Sequence, residues 1–98
     1  MVPEDKIYYT SKKIMKFISI NRANNYNHWY TIGSCLHNID DRLLVDWIKF
    51  SKKSPKYKPS ECQNLWSKMK PNNYTIRTLL YYLKLDDPEM FYEILASF

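Results

Sequence analysis

The sequence contains one glycine, Gly33, in 98 residues. Most β-architectures need several glycines for turns with positive φ, and loops that cradle phosphate groups need them as well. This scarcity argues against both classes and favours helices joined by short connections. The chain is long enough for one hydrophobic core. We therefore predict an all-α fold: a compact bundle of about six short helices in a single domain over residues 1–98.

Cysteine is almost as scarce as glycine. Cys35 and Cys62 form no CxxC motif, so the sequence predicts two reduced thiols and no disulfide framework. With His28 and His37 they are numerous enough for zinc, but their spacing matches no zinc motif, and burial on apolar helix faces is the better explanation. The chain also lacks a long hydrophobic run and a signal-peptide pattern, which predicts a soluble, intracellular protein with no membrane partner.

Recognisable catalytic motifs are absent as well. The sequence has no P-loop, and its residue spacing supports neither a Ser-His-Asp nor a Cys-His catalytic arrangement. The acidic pairs Asp40–Asp41 and Asp86–Asp87 stand where helix N-caps are expected, because a carboxylate there accepts free backbone N–H groups. We therefore expect no catalytic residue, no metal site and no cofactor in this chain.

Apolar side chains recur at helical spacing along most of the sequence. Ser60 and Gln63 fit a capping box at the start of one helix, and Thr75 and Asp87 are predicted to cap the two that follow. The polar run 21–25 is predicted to break the chain after the first helix. The six predicted helices cover about 6–20, 26–38, 41–50, 61–69, 76–83 and 88–98.

Gly33 lies inside the second predicted helix, where glycine costs about 1 kcal/mol relative to alanine. We therefore expect another helix to approach it closely. Trp29, Trp47 and Trp66 fall on the apolar stripes of three different helices, which predicts core packing in preference to exposed base-stacking platforms.

Acidic residues are nearly missing from the stretch Lys49–Lys70, where seven lysines accompany one acid, Glu61. The stretch therefore carries a net charge of +6 within a chain of +5. Such a local positive surface is the usual footprint of a polyanion-binding site, although a solvated lysine face is the simpler alternative. Its first half, residues 49–60, includes the proline-bounded segment SPKYKP, and we call it the basic connector. The predicted nucleic-acid-binding residues are Lys49, Lys52, Lys53, Lys56, Tyr57, Lys58, Lys68, Lys70 and Arg77.

Lysine attracts phosphates without discriminating between bases, so the predicted binding is salt-sensitive and largely independent of sequence, with Tyr57 available to stack on a base. A helix-turn-helix with Arg77 on the recognition helix is disfavoured, because TIRTLLYYLKL is too apolar for base reading. The last segment, 86–98, carries four acids and no base, a charge that would repel DNA.

The sequence between Tyr26 and Pro88 contains a series of recognisable elements: Trp29-x-x-Ile32-Gly33-x-x-Leu36, Leu44-x-x-Trp47-x-x-Phe50-Ser51, Ser54-x-Lys56-Tyr57, Cys62-x-x-x-Trp66, Tyr74-Thr75-Ile76, Leu79-x-Tyr81-Tyr82 and Asp87-Pro88. Taken together, these elements resemble the second type of primase C-terminal domain. The similarity covers 26–92 in the family's order. It departs from the family at Asn72–Asn73, where glycine is usual, and at Arg77, where a small residue is usual.

The resemblance implies a helical accessory domain of a viral-type DNA primase or primase–helicase, lying between the primase and helicase domains of a larger polypeptide. The catalytic carboxylates and the ATP site would then lie outside these 98 residues. The implied partners are single-stranded or primer–template DNA, or an RNA primer, and the adjacent domains. The implied location is the host cytoplasm or a replication site. The alternative is a spacer that docks primase to helicase through its acidic last helix or an aromatic surface, without touching DNA.

Overall fold

The computed structural model describes the backbone of residues 3–97 and the side chains of residues 5–97. Within that part the chain forms α-helices and one 3₁₀ turn and has no β-strand, so the all-α prediction is confirmed. One helix more than predicted is present. The helices are α1 (Pro3–Met15), α2 (Asn21–Asn24), α3 (Tyr26–Ile39), α4 (Leu44–Ser51), α5 (Glu61–Lys68), α6 (Ile76–Asp86) and α7 (Pro88–Ser97), and the 3₁₀ turn is Asp41–Leu43.

The additional helix is α2, a single turn within the polar run that was predicted to break the chain. It forms because α1 ends earlier than predicted, at Met15, and the chain then turns so that Ile18 enters the core with 4% of its surface exposed. The next turn brings the N–H of Arg22 to the carbonyl of Ser19 at 3.1 Å. The apolar pattern 6–20 therefore covers both α1 and the turn that follows it.

An ion pair between Arg22 and Asp86 holds α2 against the end of α6. Nε of Arg22 lies 2.7 Å from Oδ2 of Asp86, and the N–H of Ser19 donates to the same oxygen at 2.9 Å. The two charged side chains are only 12% and 9% exposed. Burial acts to raise the pKa of Asp86, but the hydrogen bonds from Arg22 and Ser19 outweigh it and hold that pKa below its usual value.

Helix α3 supplies much of the core and packs against α1, α4, α5 and α6. Its residues Ile32, Cys35 and Leu36 are fully buried. Burial raises the pKa of the Cys35 thiol to about 12, and both cysteines are buried and free, as predicted. A Cβ added at Gly33 would lie less than 3.0 Å from three ring atoms of Trp47. The expected close approach is therefore confirmed, and the approaching element is α4.

The three tryptophans pack in the core, as predicted, and Ser51 joins two of them. Trp29 and Trp47 stack with ring centroids 4.7 Å apart, and the ring of Trp66 lies 5.9 Å from that of Trp47. Nε1 of Trp29 donates to Oγ of Ser51 at 2.6 Å, and that hydroxyl donates to the carbonyl of Trp47 at 2.7 Å. The thiol of Cys62 also donates to Ser51 Oγ, at 3.2 Å. The end of α4 is thereby fixed to both α3 and α5.

Three of the predicted caps are present. Asp40 accepts from the N–H of Arg42 at 2.8 Å, Thr75 from that of Arg77 at 3.2 Å, and Asp87 from that of Met90 at 3.1 Å. The capping box of Ser60 was wrong. Ser60 makes no side-chain cap and adopts a left-handed φ of 72°, because the chain enters α5 from a tight turn and not from an extended strand.

Between residues 3 and 97, none of the helices has both the length and the apolar character needed to cross a bilayer. Helix α7 packs mainly on α6 and buries one side chain fully, that of Ile94.

Candidate nucleic-acid interface

The basic connector folds into a succession of tight turns after α4. The N–H of Lys53 donates to the carbonyl of Phe50 at 3.1 Å, and the N–H of Ser54 donates to the carbonyl of Ser51 at 3.0 Å. The N–H of Tyr57 then donates to the carbonyl of Ser54 at 3.1 Å. Proline at positions 55 and 59 prevents these turns from continuing as a helix. The lysines are therefore carried on a compact, hydrogen-bonded segment.

Asn24 in α2 anchors the connector to the rest of the fold. The hydroxyl of Ser54 donates to Oδ1 of Asn24 at 2.6 Å and accepts from the N–H of Lys56 at 3.1 Å. Nζ of Lys56 reaches the carbonyl of Asn24 at 2.9 Å. Lys56 is thus partly a structural residue, since its ammonium group helps to hold the connector against α2.

A groove of about 450 Å³ opens between α2, the start of α3 and the basic connector. Its aromatic lining comes from Tyr26 and Trp29 of α3 and Tyr57 of the connector. Tyr57 is half-buried, whereas Tyr26 is 60% exposed although its ring contacts those of Trp29 and Tyr30. The groove therefore offers aromatic surface that the core does not cover.

Lysines surround this groove. Lys56 and Lys58 line it, and Lys49, Lys52 and Lys53 are exposed on the neighbouring end of α4 and the turn after it. No ion pair between described side chains involves any of these five lysines, whereas Lys12, Arg22 and Arg42 each pair with an aspartate. Their positive charge is therefore not neutralised within that part of the chain.

The remaining predicted residues lie towards the other end of the molecule. Lys68 ends α5, about 10 Å along the helix axis from Glu61 at its start. Arg77 follows a loop that is bound to Asn38. Nδ2 of Asn38 donates to the carbonyls of Asn72 and Tyr74 in this loop, at 2.9 and 2.8 Å. Asn38 is at the opposite end of α3 from Tyr26, about 18 Å away along the axis. Lys68, Lys70 and Arg77 are exposed, and none of them lines the groove.

Of the groove residues, only Lys56, Tyr57 and Lys58 were in the predicted set, and three of the missing ones carry exposed or half-buried polar or aromatic groups. From the sequence, Asn24 was assigned to the polar run that breaks the chain, and Tyr26 to the apolar stripe of a helix. Glu61 was considered only as the one acid of the basic stretch. The usable signal was Asn25, whose side chain accepts from the N–H of His28 at 3.1 Å and caps α3. A cap at Asn25 makes Tyr26 the first residue of α3, and this end of the helix lines the groove.

Groups of three or more His, Cys, Asp or Glu side chains that would suit a metal ion do not occur among the described residues. Of the predicted acidic caps, Asp40 and Asp87 cap helices and Asp86 is occupied by Arg22.

The family model described as "Primase C terminal 2 (PriCT-2)" matches residues 11–82. The chain belongs to the PriCT-2 family. The resemblance stated from the sequence is thereby confirmed, and the matched PriCT-2 region runs from α1 into α6 and contains the basic connector and its groove.

Several viral proteins are similar to this PriCT-2 domain. "Putative helicase L207/L206" of Acanthamoeba polyphaga mimivirus is 51% identical over 87 residues, which cover 86% of the chain and 9% of that protein. "Putative helicase 184R" of Invertebrate iridescent virus 6 is 36% identical over 79% of the chain and 9% of its own length. "Putative helicase 022R" of Frog virus 3 is 31% identical over 72% of the chain and 8% of its own length. The chain thus spans about a tenth of the relatives it matches, and no solved structure matches it.

Proposed function

We propose that this chain is a non-catalytic accessory domain of a viral-type DNA primase or primase–helicase, and that it binds template or primer through its basic connector. The family match supports the primase association, and the names of the relatives support a link to helicases. The first of these relatives is roughly eleven times longer than the matched segment, which leaves ample chain for catalytic domains outside it.

The observation that carries the proposal is the unneutralised charge of the connector. Five lysines occur within ten residues, 49–58, without an acid between them, and no described carboxylate pairs with them. Two acids elsewhere are already paired, since Asp46 forms an ion pair with Lys12 and Asp86 forms one with Arg22. A surface lysine cluster of this kind gains free energy by releasing counterions from a phosphate backbone.

The test is fluorescence anisotropy of a labelled single strand and a labelled primer–template across a salt series. Lys56 is partly committed to Asn24, so about four lysines remain for phosphates. We expect log K to fall against log salt with a slope of about −3, at roughly 0.7 per phosphate contact on a single strand. The variant Lys52→Glu/Lys53→Glu changes two exposed side chains without touching the contacts of Asn24.

The matched control is Lys13→Glu/Lys16→Glu, which makes the same charge change at two exposed positions outside the basic stretch. The connector variant should weaken binding at least tenfold more than the control does, because lost local contacts add to the shared change in net charge. A third variant, Lys70→Glu/Arg77→Glu, measures the contribution of the far end. Equal losses in the connector variant and the control would refute the connector as the site, and no binding at low salt would refute the proposal.

A second candidate function, docking to another protein segment, has its own supporting observation. Four large side chains on α6 and α7 are 49–60% exposed, and α7 rests mainly on α6. They are Tyr81, Leu85, Tyr92 and Leu95. Helix α7 also carries the exposed acids Glu89 and Glu93, so this surface of α6 and α7 suits a basic, apolar segment of the same polypeptide. The apolar part of such binding would persist at high salt, whereas phosphate binding would not.

A further inference from the structure

The groove beside the connector has an aromatic lining that phosphate binding does not explain. Its volume of about 450 Å³ is within the usual range for small-molecule pockets, about 300–1,000 Å³. Tyr57 and Tyr26 both line it, and the contacts of Tyr26 with Trp29 and Tyr30 hold its ring in place. Exposed aromatic rings next to lysines are the combination that proteins use to hold unpaired nucleic-acid bases.

Glu61 gives the groove a second feature, a carboxylate with no partner. Glu61 is half-buried at the start of α5 and lines the groove beside Lys58, yet its side chain makes no hydrogen bond or ion pair with a described residue. A carboxylate in this position repels phosphate, so the charged backbone of a ligand is excluded from the groove itself. The same carboxylate accepts hydrogen bonds from an amino group, as acidic side chains do from N4 of cytosine.

We propose that the groove takes one unstacked nucleobase, stacked on Tyr57 with its amino group towards Glu61, while the surrounding lysines hold the flanking phosphates. This inference rests on the proposed nucleic-acid function and specifies the ligand as a single strand. A base paired within a duplex has its faces covered by its neighbours and its amino group engaged, so it cannot enter. Thymine lacks the amino group, and its one ring N–H donor lies between two carbonyl oxygens that Glu61 repels.

The anchoring contacts explain why the groove exists before a ligand arrives. Ser54 and Lys56 hold the connector to Asn24 on one side, and Ser51 binds Trp29 beneath it. The walls of the groove are therefore fixed by hydrogen bonds before binding. Little conformational entropy is lost in ordering them when a base enters.

The test compares labelled oligo(dC), oligo(dT) and an abasic strand of equal length and charge, at one salt concentration. Wild type should bind oligo(dC) about 5- to 150-fold more tightly than the abasic strand, the range expected for stacking one base. Tyr57→Ala should remove that difference and Tyr57→Phe should retain it, since phenylalanine keeps the ring. Glu61→Gln should reduce the preference for oligo(dC) over oligo(dT), because an amide both donates and accepts. Circular dichroism establishes that each variant is folded.

The outcomes separate this inference from the function on which it rests. Salt-sensitive binding that is equal for oligo(dC) and the abasic strand would overturn the base site and leave the phosphate site standing. If Tyr57→Ala still binds oligo(dC) more tightly than the abasic strand by the same factor as the wild type, stacking on Tyr57 is overturned. Tighter binding of fully duplex DNA than of a single strand would overturn the inference too, and no binding of any strand would overturn both proposals.

Discussion

Replacement of Gly33 by alanine should destabilise the domain, although a glycine in a helix interior usually predicts the opposite. By helix propensity alone, the change would raise the free energy of unfolding by about 1 kcal/mol. The new Cβ, however, would lie less than 3.0 Å from three ring atoms of Trp47. Trp47 is fully buried and stacked on Trp29 at 4.7 Å, and its Nε1 donates to the carbonyl of Trp29 at 3.2 Å. The ring therefore has little room to move.

Overpacking of this kind costs about 1–3 kcal/mol, and the fixed ring argues for the upper end. After the gain in propensity, we expect a net loss of about 2 kcal/mol, or roughly 10 °C in Tm for a domain of this size. Urea unfolding followed by circular dichroism measures it, with an unchanged m-value showing that the denatured state is the same. A variant as stable as the wild type, or more stable, would refute the reasoning.

Trp47→Phe provides the control, because phenylalanine lacks the outer ring atoms that the new Cβ would meet. In that background Gly33→Ala should cost at least about 1 kcal/mol less than in the wild type, and the difference measures the coupling between the two positions. An equal cost in both backgrounds would show that the clash lies elsewhere.

Two further predictions concern the ion pair and the strained turn. Asp86→Asn should cost about 3 kcal/mol at neutral pH, because it leaves Arg22 without its charged partner in a nearly buried site. The pKa of Asp86 is lowered in the folded state, so its contribution is present above the unfolded pKa, near 3.9, and is lost as pH falls through the lower folded value. Urea unfolding should therefore show that wild type and variant differ less in free energy of unfolding at pH 3 than at pH 7. An equal difference at both pH values would contradict a lowered pKa of Asp86 in the folded state. Ser60→Gly should raise stability by about 0.5–1 kcal/mol, because glycine adopts the φ of 72° without the steric penalty of a Cβ. A lower Tm for that variant would show that the serine side chain stabilises the turn.

The helices were predictable because their burial patterns are local. The apolar stripes located α3 to α7, and the lone glycine predicted a close approach that Trp47 makes. The end of α1 was not predictable, since it depends on Asp86, more than sixty residues further along the chain, binding Ser19 and Arg22. The capping box at Ser60 failed for a related reason, because the preceding turns of the connector determine its φ.

The candidate site was predictable only in part. Lys56, Tyr57 and Lys58 are adjacent in sequence and line one groove, so charge density located them. Asn24 and Tyr26 come from about thirty residues earlier, and only the packing of α2 against the connector brings them there. Conversely, charge density grouped Lys68 and Lys70 with the connector, although α5 carries them away from the groove.

The stacked tryptophans give the domain an optical property. Ring centroids separated by 4.7 and 5.9 Å are close enough for the three indoles to exchange excitation energy. At one end of this cluster Trp29 lines the groove, and at the other Trp66 donates its N–H to Asp41 at 3.1 Å. We therefore expect a molecule that enters the groove to alter the emission of the cluster through Trp29, so that an unlabelled strand could be followed by the intrinsic fluorescence of the protein.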